Sequence, residues 1–153
     1  MSRAFVKESD DPGELPERAV SPHPNLVTPR GRDAIETRIQ QLTAERQAAL
    51  SAEDSALRAR VERDLRYWNA RRASARVVEA CAATDRVRFG MRVTLQSRAG
   101  TRSAFRLVGE DEADAARGLI SWVSPLGQSL LGKEQGEGVP FQGGEAEIVS
   151  IEP

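Results

Sequence analysis

The sequence is short of the residues that build covalent cross-links and metal sites. Its 153 residues include one cysteine, Cys81, and one histidine, His23. A single cysteine cannot form an internal disulfide, and one cysteine with one histidine cannot supply the ligands of a zinc site. We therefore expect neither a metalloenzyme nor a thiol enzyme, and no cofactor. The lack of a disulfide is typical of a reducing compartment, so the expected location is cytoplasmic.

Long apolar runs and an excess of one charge are also missing. No apolar run approaches the roughly 18 residues that a membrane span needs, and the polar first residues lack a signal-peptide core. We therefore expect no membrane association. The 22 lysine and arginine residues nearly balance the 23 aspartate and glutamate residues, which gives a net charge of −1. This balance excludes a nucleic-acid-binding protein that is basic along its whole length.

The first segment, residues 1–28, is rich in proline and poor in apolar residues. Such a composition cannot bury much surface, and it predicts an extended or disordered arm. The stretch "AVSPHPNLV" could still lie on the folded part through Val20, Leu26 and Val27.

The second segment, residues 29–78, has the periodicity of two helices. Thr28 is a candidate N-cap with Pro29 at the first helical position. The link "LSAED" contains neither proline nor glycine, so two helices of about twenty residues should fold back as an antiparallel coiled-coil hairpin. The apolar positions are Ile35, Ile39, Leu42, Ala49 and Leu50 in the first helix, and Leu57, Val61, Leu65, Trp68 and Ala75 in the second.

The third segment, residues 79–153, changes to the period of strands. "MRVTLQ", "SAFRLVG", "LISWV", "GVPF" and "EAEIVSIE" are strand candidates, and "PLGQSLLG" is a short helix that Gly132 ends. The predicted fold class is α+β: an N-terminal helical hairpin followed by a small antiparallel-sheet domain with one short helix.

The stretch "SWVSPLGQSLLGKEQGE", residues 121–137, is the most informative motif. It has a serine, then Ser-Pro, an aliphatic residue, alternating small residues, two aliphatic residues and a later Gly-Glu pair. This pattern resembles the C-terminal signature of the bacterial GreA/GreB transcript-cleavage factors. "VRFGMRVTL", "FRLVGEDEAD" and "GGEAEIVSIE" support the resemblance, which covers about residues 28–153.

The resemblance implies a coiled-coil hairpin and a C-terminal domain of FKBP-like topology. It implies docking at the rim of the RNA polymerase secondary channel, through Ser124, Pro125, Leu126 and Gly127, with Leu130 and Leu131 mainly in the core. The hairpin would point toward the catalytic magnesium, which belongs to the polymerase. The factor itself would not be an enzyme. We expect a monomer that can contact the RNA 3′ segment and meets DNA only indirectly.

The tip of the hairpin departs from the family pattern. The acid–Asn-Ala–acid motif of the cleavage factors is missing, the hairpin is shorter, and the only tip acids are Glu53 and Asp54. One interpretation is that these acids hold the magnesium. The favoured one is that Ser51 and Asp54 form a capping box, with both acids in the first turn of the second helix, where the helix dipole favours negative charge.

Seven arginines on the second helix form a candidate basic strip. Phosphates of RNA could bind there without sequence readout. Alternatively, acids of the first helix neutralise part of a solvated face. The strip comprises Arg58, Arg60, Arg63, Arg66, Arg71, Arg72 and Arg76.

These observations predict a transcription elongation factor of the Gre type that acts through the secondary channel, with RNA cleavage in doubt because the tip motif is missing. One alternative is a channel-occupying competitor of cleavage factors, similar to the regulator of nucleoside diphosphate kinase. A second is an FKBP-like peptidyl-prolyl isomerase, which the sparse aromatic residues disfavour. A third is an adaptor whose arm, residues 1–28, recruits another partner.

Overall fold

A computed structural model describes residues 15–153. The predicted arm is thus described only from Leu15, and its positions 1–14 lie outside the described residues. Residues 15–25 form neither helix nor strand, and they lead into a short strand, β1 (Leu26–Val27). Val20 is 49% exposed, whereas Asn25 and Val27 are buried. The end of this segment is therefore part of the folded structure.

Two long helices follow. The first, α1, covers Pro29–Ser51, and the second, α2, covers Ser55–Ser74. The predicted start of α1 is confirmed, because the Thr28 side chain accepts a hydrogen bond from the Gly31 N–H and Pro29 is the first helical residue. Proline is tolerated there because a first-turn N–H has no intrahelical acceptor.

The helices pack on each other through the predicted apolar positions. Leu50 is the exception, being 42% exposed, because it lies about 100° around the helix from the buried Ala49. Leu57, Trp68 and Ala75 are partly buried at the edge of the cluster. The shared core consists of Val27, Ile35, Ile39, Leu42, Val61 and Leu65.

A two-residue parallel strand pair closes the base of the helical pair. The second strand, β2 (Arg76–Val77), pairs with β1 so that Leu26 lies opposite Arg76. The Arg76 N–H donates to the Asn25 carbonyl at 2.8 Å. A strand of two residues is too short to show an alternating pattern, so the sequence does not predict this pair.

The remaining chain forms a five-stranded sheet and one short helix. In chain order these elements are β3 (Arg92–Ser97), β4 (Arg102–Val108), β5 (Leu119–Ser121), α3 (Pro125–Leu130), β6 (Gly138–Phe141) and β7 (Gly144–Glu152). The strand order is β5-β4-β3-β7-β6. Gly132 follows α3 with φ +80, which agrees with its predicted role as the stop.

The prediction of an antiparallel sheet is wrong at one edge. β5 pairs parallel to β4, with Arg106 opposite Leu119, whereas the other pairs of the sheet are antiparallel. The connection between the two strands contains 3₁₀ turns at Glu110–Glu112 and Ala115–Arg117. These turns carry the chain back to the end of the sheet from which β4 started, as a parallel pair requires.

The sheet core is aliphatic, and the rings of Phe105 and Phe141 pack against it. Phe89 is buried, and the Phe105 and Phe141 rings meet edge to face with centroids 5.6 Å apart. Within residues 15–153, no helix is long and apolar enough to cross a membrane. The core members are Val87, Val93, Leu95, Leu107, Leu130, Val139, Ala146 and Ile148.

Candidate functional site

The signature segment is a capped turn that holds α3 against the sheet. The Ser124 hydroxyl accepts a hydrogen bond from the Gly127 N–H at 3.1 Å and donates one to the Ser121 carbonyl at 2.6 Å. Gly127 is buried, and a Cβ there would overlap the Ser121 carbonyl oxygen and lie 3.0 Å from the Trp122 Cα. Ser124 and Gly127 therefore have structural reasons to be serine and glycine.

Pro125 is the residue of this segment that faces solvent. It occupies the first position of α3 and is exposed, whereas Leu126 is partly buried against the sheet core. Of the four predicted polymerase contacts, Pro125 is thus the most accessible, and Ser124 and Gly127 hold its position. Whether any of them contacts a polymerase stays a prediction.

Trp122 lies beside this turn and was not among the predicted site residues. Its indole Nε1 is buried without a hydrogen-bond acceptor in the part of the chain that the structure describes. Its ring lies edge-on to that of His23, with centroids 6.1 Å apart. The segment before β1 therefore reaches the side of the signature.

The tip of the helical pair consists of residues 52–54. Asp54 is the N-cap of α2, and its carboxylate accepts a hydrogen bond from the Leu57 N–H at 2.9 Å. Glu53 is exposed and has a positive φ of 54, which is uncommon for a residue other than glycine. The two acids therefore have different environments, one fixed by a backbone donor and the other projecting from the link.

The predicted capping box at this tip is wrong in register. Ser51 is the last residue of α1 rather than the cap of α2, and neither acid lies inside the first turn of α2. A capping role is observed for Asp54 alone. Across residues 15–153, no group of three or more histidine, cysteine, aspartate or glutamate side chains could hold a metal ion.

The basic strip of α2 is divided by its partners. Arg60 and Arg76 are exposed and have no ion pair or side-chain hydrogen bond within residues 15–153. The other solvent-facing members pair with acids: Arg58 with Glu62, Arg63 with Asp64, Arg66 with Glu17 and Arg72 with Glu36. Exposed pairs of this kind are individually weak.

Arg71 does not belong to an accessible strip. Its side chain is 1% exposed, which corrects its assignment as a nucleic-acid contact. Its Nε lies 2.5 Å from Asp111, and its Nη2 donates to the Asn25 side chain at 2.7 Å. A buried guanidinium is stable only when it has hydrogen-bonding and charged partners such as these. Since Asp111 lies in the connection between β4 and β5, Arg71 joins the helical pair to the sheet.

The same joint contains the single tyrosine of the chain. The Tyr67 hydroxyl donates to Asp111 at 2.5 Å. Burial of the phenol, followed by the hydrogen bond to Asp111 and the negative charge of that carboxylate, raises the pKa of Tyr67 to about 12. Glu112 adds a second connection, since its carboxylate accepts from the Thr28 N–H at 3.0 Å at the start of α1.

These joint residues were missed because their contacts cross 40 to 84 positions of sequence. One local signal was present for Arg71. The apolar positions of α2 leave a gap between Trp68 and Ala75, and Arg71 follows Trp68 by three residues, on the buried side.

A family model described as "Transcription elongation factor, GreA/GreB, C-term" matches residues 82–153. Among curated relatives, GreB of Neisseria meningitidis is 38% identical over 98 residues, which is 60% of this chain and 60% of that protein. GreA of Desulfovibrio desulfuricans is 30% identical over 135 residues, which is 76% of this chain and 83% of that protein. The chain spans about 60% of the length of the first curated relatives it matches.

Solved structures of similar proteins include GreA factor homolog 1 of Thermus thermophilus, with 22% identity and a TM-score of 0.42 over 86% of this chain and 100% of the other. GreA/GreB of Nitrosomonas europaea gives 22% identity and a TM-score of 0.41 over 84% and 99%. The family predicted from the signature is confirmed by the match to residues 82–153 and by the relative that is aligned over 83% of its length. This chain belongs to the GreA/GreB family of transcription elongation factors.

Proposed function

We propose that this chain binds bacterial RNA polymerase at the rim of the secondary channel and regulates elongation as an accessory factor, not as an enzyme. Residues 79–153, in an FKBP-like arrangement, would dock at the rim. Residues 29–78 would enter the channel as a coiled coil. The proposed factor acts in the cytoplasm as a monomer.

The observation that carries the docking proposal is the exposed Pro125 on a fixed turn. Ser124 caps α3 and Gly127 allows the close approach to Ser121, so Pro125 is presented without freedom to rearrange. A rigid apolar group on the surface loses little conformational entropy when a partner covers it.

A pair of charge variants tests the docking. Glutamate at the first position of a helix is favourable, so Pro125→Glu should fold normally while it places a charge against the partner. We expect its affinity for purified core polymerase to fall by about tenfold or more. Pro140→Glu, at the exposed proline of the edge strand β6, is the matched control and should bind as wild type does. Equal affinity of all three proteins would refute the contact.

Within this function, the tip favours occupation of the channel over strong stimulation of cleavage. α1 has 23 residues, or about 35 Å at about 1.5 Å per residue. Asp54 is engaged by the Leu57 N–H, which leaves Glu53 as the one acid that projects from the link. A single carboxylate is a poor ligand set for magnesium, which needs close oxygen ligands in near-octahedral geometry.

The rate of RNA cleavage by purified polymerase halted in a backtracked complex tests this mechanism. We expect little stimulation of RNA cleavage by this chain, and the same residual rate with Glu53→Gln/Asp54→Asn. The chain should instead compete with an authentic cleavage factor and lower its effect. Strong stimulation that disappears in the double variant would establish the tip acids as metal ligands and overturn the occupation mechanism.

The solvent-facing arginines of α2 are proposed to contact the RNA 3′ segment through its phosphates. Arg58, Arg60, Arg66, Arg72 and Arg76 are exposed, and Arg63 is partly so. A contact of this type has no sequence preference and weakens as salt is added. Arg71 is excluded from it by burial.

A further inference from the structure

The segment before β1 places a carboxylate on the basic face of α2. Glu17 accepts hydrogen bonds from Arg66, whose Nε lies 2.9 and 3.1 Å from the two carboxylate oxygens and whose Nη2 lies 2.5 Å from one of them. This fork-to-oxyanion geometry is the one that a guanidinium also adopts with a phosphate. Glu17 therefore occupies the position that an RNA phosphate would take on Arg66.

A second contact fixes the segment in this place. The Arg18 guanidinium carbon lies 3.9 Å from the centroid of the Tyr67 ring, and its Nη1 lies 3.5 Å from Asp64. Glu17 thus contacts the basic Arg66 of α2. The next residue, Arg18, contacts the acidic Asp64 and the aromatic ring of Tyr67. Complementarity of this kind sets the register of the segment on the helix.

The segment also reaches the signature. His23 meets the Trp122 ring edge to face, and two residues later the Asn25 side chain donates to the Arg71 carbonyl at 2.8 Å. Residues 17–25 therefore run from the basic face of α2 to the side of the α3 turn. A segment tied at both ends is positioned to cover the surface between them.

The charge of the sequence upstream has the same sign as Glu17. Residues 8–17 read "ESDDPGELPE", with five acids and no base. Glu17 is a carboxylate at neutral pH, and the hydrogen bonds from Arg66 hold its pKa below its ordinary value. The Glu17 carboxylate on the basic face opposes the approach of a polyanion.

From these contacts we infer that residues 15–24 are an intrachain competitor of RNA, in which Glu17 occupies Arg66 and must be displaced before phosphates bind the basic face of α2. The inference rests on the proposed function in one respect, namely that this face meets RNA phosphates. It adds a regulation that the helical pair alone does not provide. Free RNA is bound weakly, and the face becomes available where phosphates are locally concentrated.

Binding of a labelled single-stranded oligouridylate to the full chain at low salt tests this inference. Glu17→Gln removes the charge with little change in shape and should tighten binding by about two- to fivefold, the range that an exposed ion pair supports. Glu147→Gln is the matched control: it removes the same charge from β7, where the Glu147 side chain has no partner within residues 15–153. Fluorescence anisotropy gives both dissociation constants.

The same substitution in an Arg66→Gln background assigns the effect to the contact. If Glu17 acts by occupying Arg66, the gain from Glu17→Gln should be lost there, because non-additivity reports the pair. Glu17 and Arg66 side chains are 61% and 56% exposed, so both variants should fold.

Three outcomes overturn the inference: the same affinity for wild type and Glu17→Gln, an equal gain in Glu147→Gln, and no RNA binding by any variant. The Pro125→Glu comparison with polymerase is independent of all three. Loss of polymerase binding in that variant with no effect of Glu17→Gln would keep the docking proposal and remove the competitor. The converse result would remove the docking contact alone.

Discussion

Arg71 and Asp111 form a buried ion pair that joins the end of α2 to the connection between β4 and β5, with Arg71 Nε 2.5 Å from Asp111 Oδ2. The Arg71 side chain is 1% exposed and that of Asp111 is 11% exposed. Tyr67 donates to the other oxygen of Asp111, and Asn25 accepts from Arg71. This ion pair, together with the hydrogen bond from Thr28 to Glu112, thus joins the helical pair to the sheet.

Removal of Arg71 should be far more costly than removal of its neighbour. Arg71→Met leaves Asp111 buried without a cation, a change that typically costs about 3–5 kcal/mol. Arg72→Met, which breaks the exposed pair with Glu36, should cost less than about 1 kcal/mol. Urea denaturation of the two variants measures both values. Similar losses would mean that Arg71 is not the connection between the helices and the sheet.

Tyr67 provides a spectroscopic probe of the same joint. The chain has one tyrosine, so ultraviolet titration of phenolate reports Tyr67 alone. Its pKa in the folded protein is about 12 against an ordinary value of 10.0. A raised pKa means that the neutral phenol favours the folded state. This stabilisation is fully present at a pH below the pKa of the unfolded state, about 10, and is lost as the pH rises to the pKa of the folded state, about 12.

Asp111→Asn is the diagnostic variant for Tyr67. It removes the negative charge that disfavours phenolate and leaves the burial, so the pKa should fall from about 12 and remain above the ordinary 10.0. Glu112→Gln, one residue away, should leave the titration unchanged. A wild-type midpoint equal to that of the urea-unfolded protein would show that the phenol is neither buried nor bonded to Asp111.

The parts of the fold that follow from neighbouring residues could be predicted from the sequence. Thr28 before Pro29 gave the start of α1, and apolar spacing gave most of the buried positions of both helices, with Leu50 and Arg71 as exceptions. Alternation gave β3 and β4, and the other three strands of the sheet also coincide with strand candidates. These features depend on backbone capping and side-chain period, which act over a few residues.

The parts that depend on distant partners could not be predicted in this way. The pairing of β1 with β2 and the parallel pairing of β5 with β4 depend on how the intervening chain returns. For Arg71, local spacing indicates only the buried side of α2, because its partners Asp111 and Asn25 lie 40 and 46 positions away. Likewise, Ser124 and Gly127 matched the family motif, but only the turn shows that they support Pro125.

Gly127→Ala should destabilise the α3 turn without touching the exposed surface. The added methyl would overlap the Ser121 carbonyl oxygen and crowd Trp122, and such overpacking costs about 1–3 kcal/mol. Gly144→Ala is the control, because a Cβ there meets nothing closer than 3.9 Å and the backbone is not left-handed. Thermal unfolding of both variants gives the difference. Equal stability would mean that the Gly127 contact relaxes freely, and Gly127 would again be a candidate for direct contact with a partner.

The tip acids can be separated by substitutions that keep or remove the cap. Asp54→Ala loses the hydrogen bond to the Leu57 N–H and should cost about 1 kcal/mol, while Asp54→Asn keeps a good N-cap and should cost only a few tenths. Glu53→Ala should be nearly neutral, since Glu53 has no side-chain partner within residues 15–153. Urea unfolding measures all three. If asparagine were as costly as alanine, the carboxylate charge rather than the cap would be what Asp54 supplies. Because Asp54→Asn removes the carboxylate and preserves the helix, a cleavage defect in that variant would report metal binding and not a damaged tip.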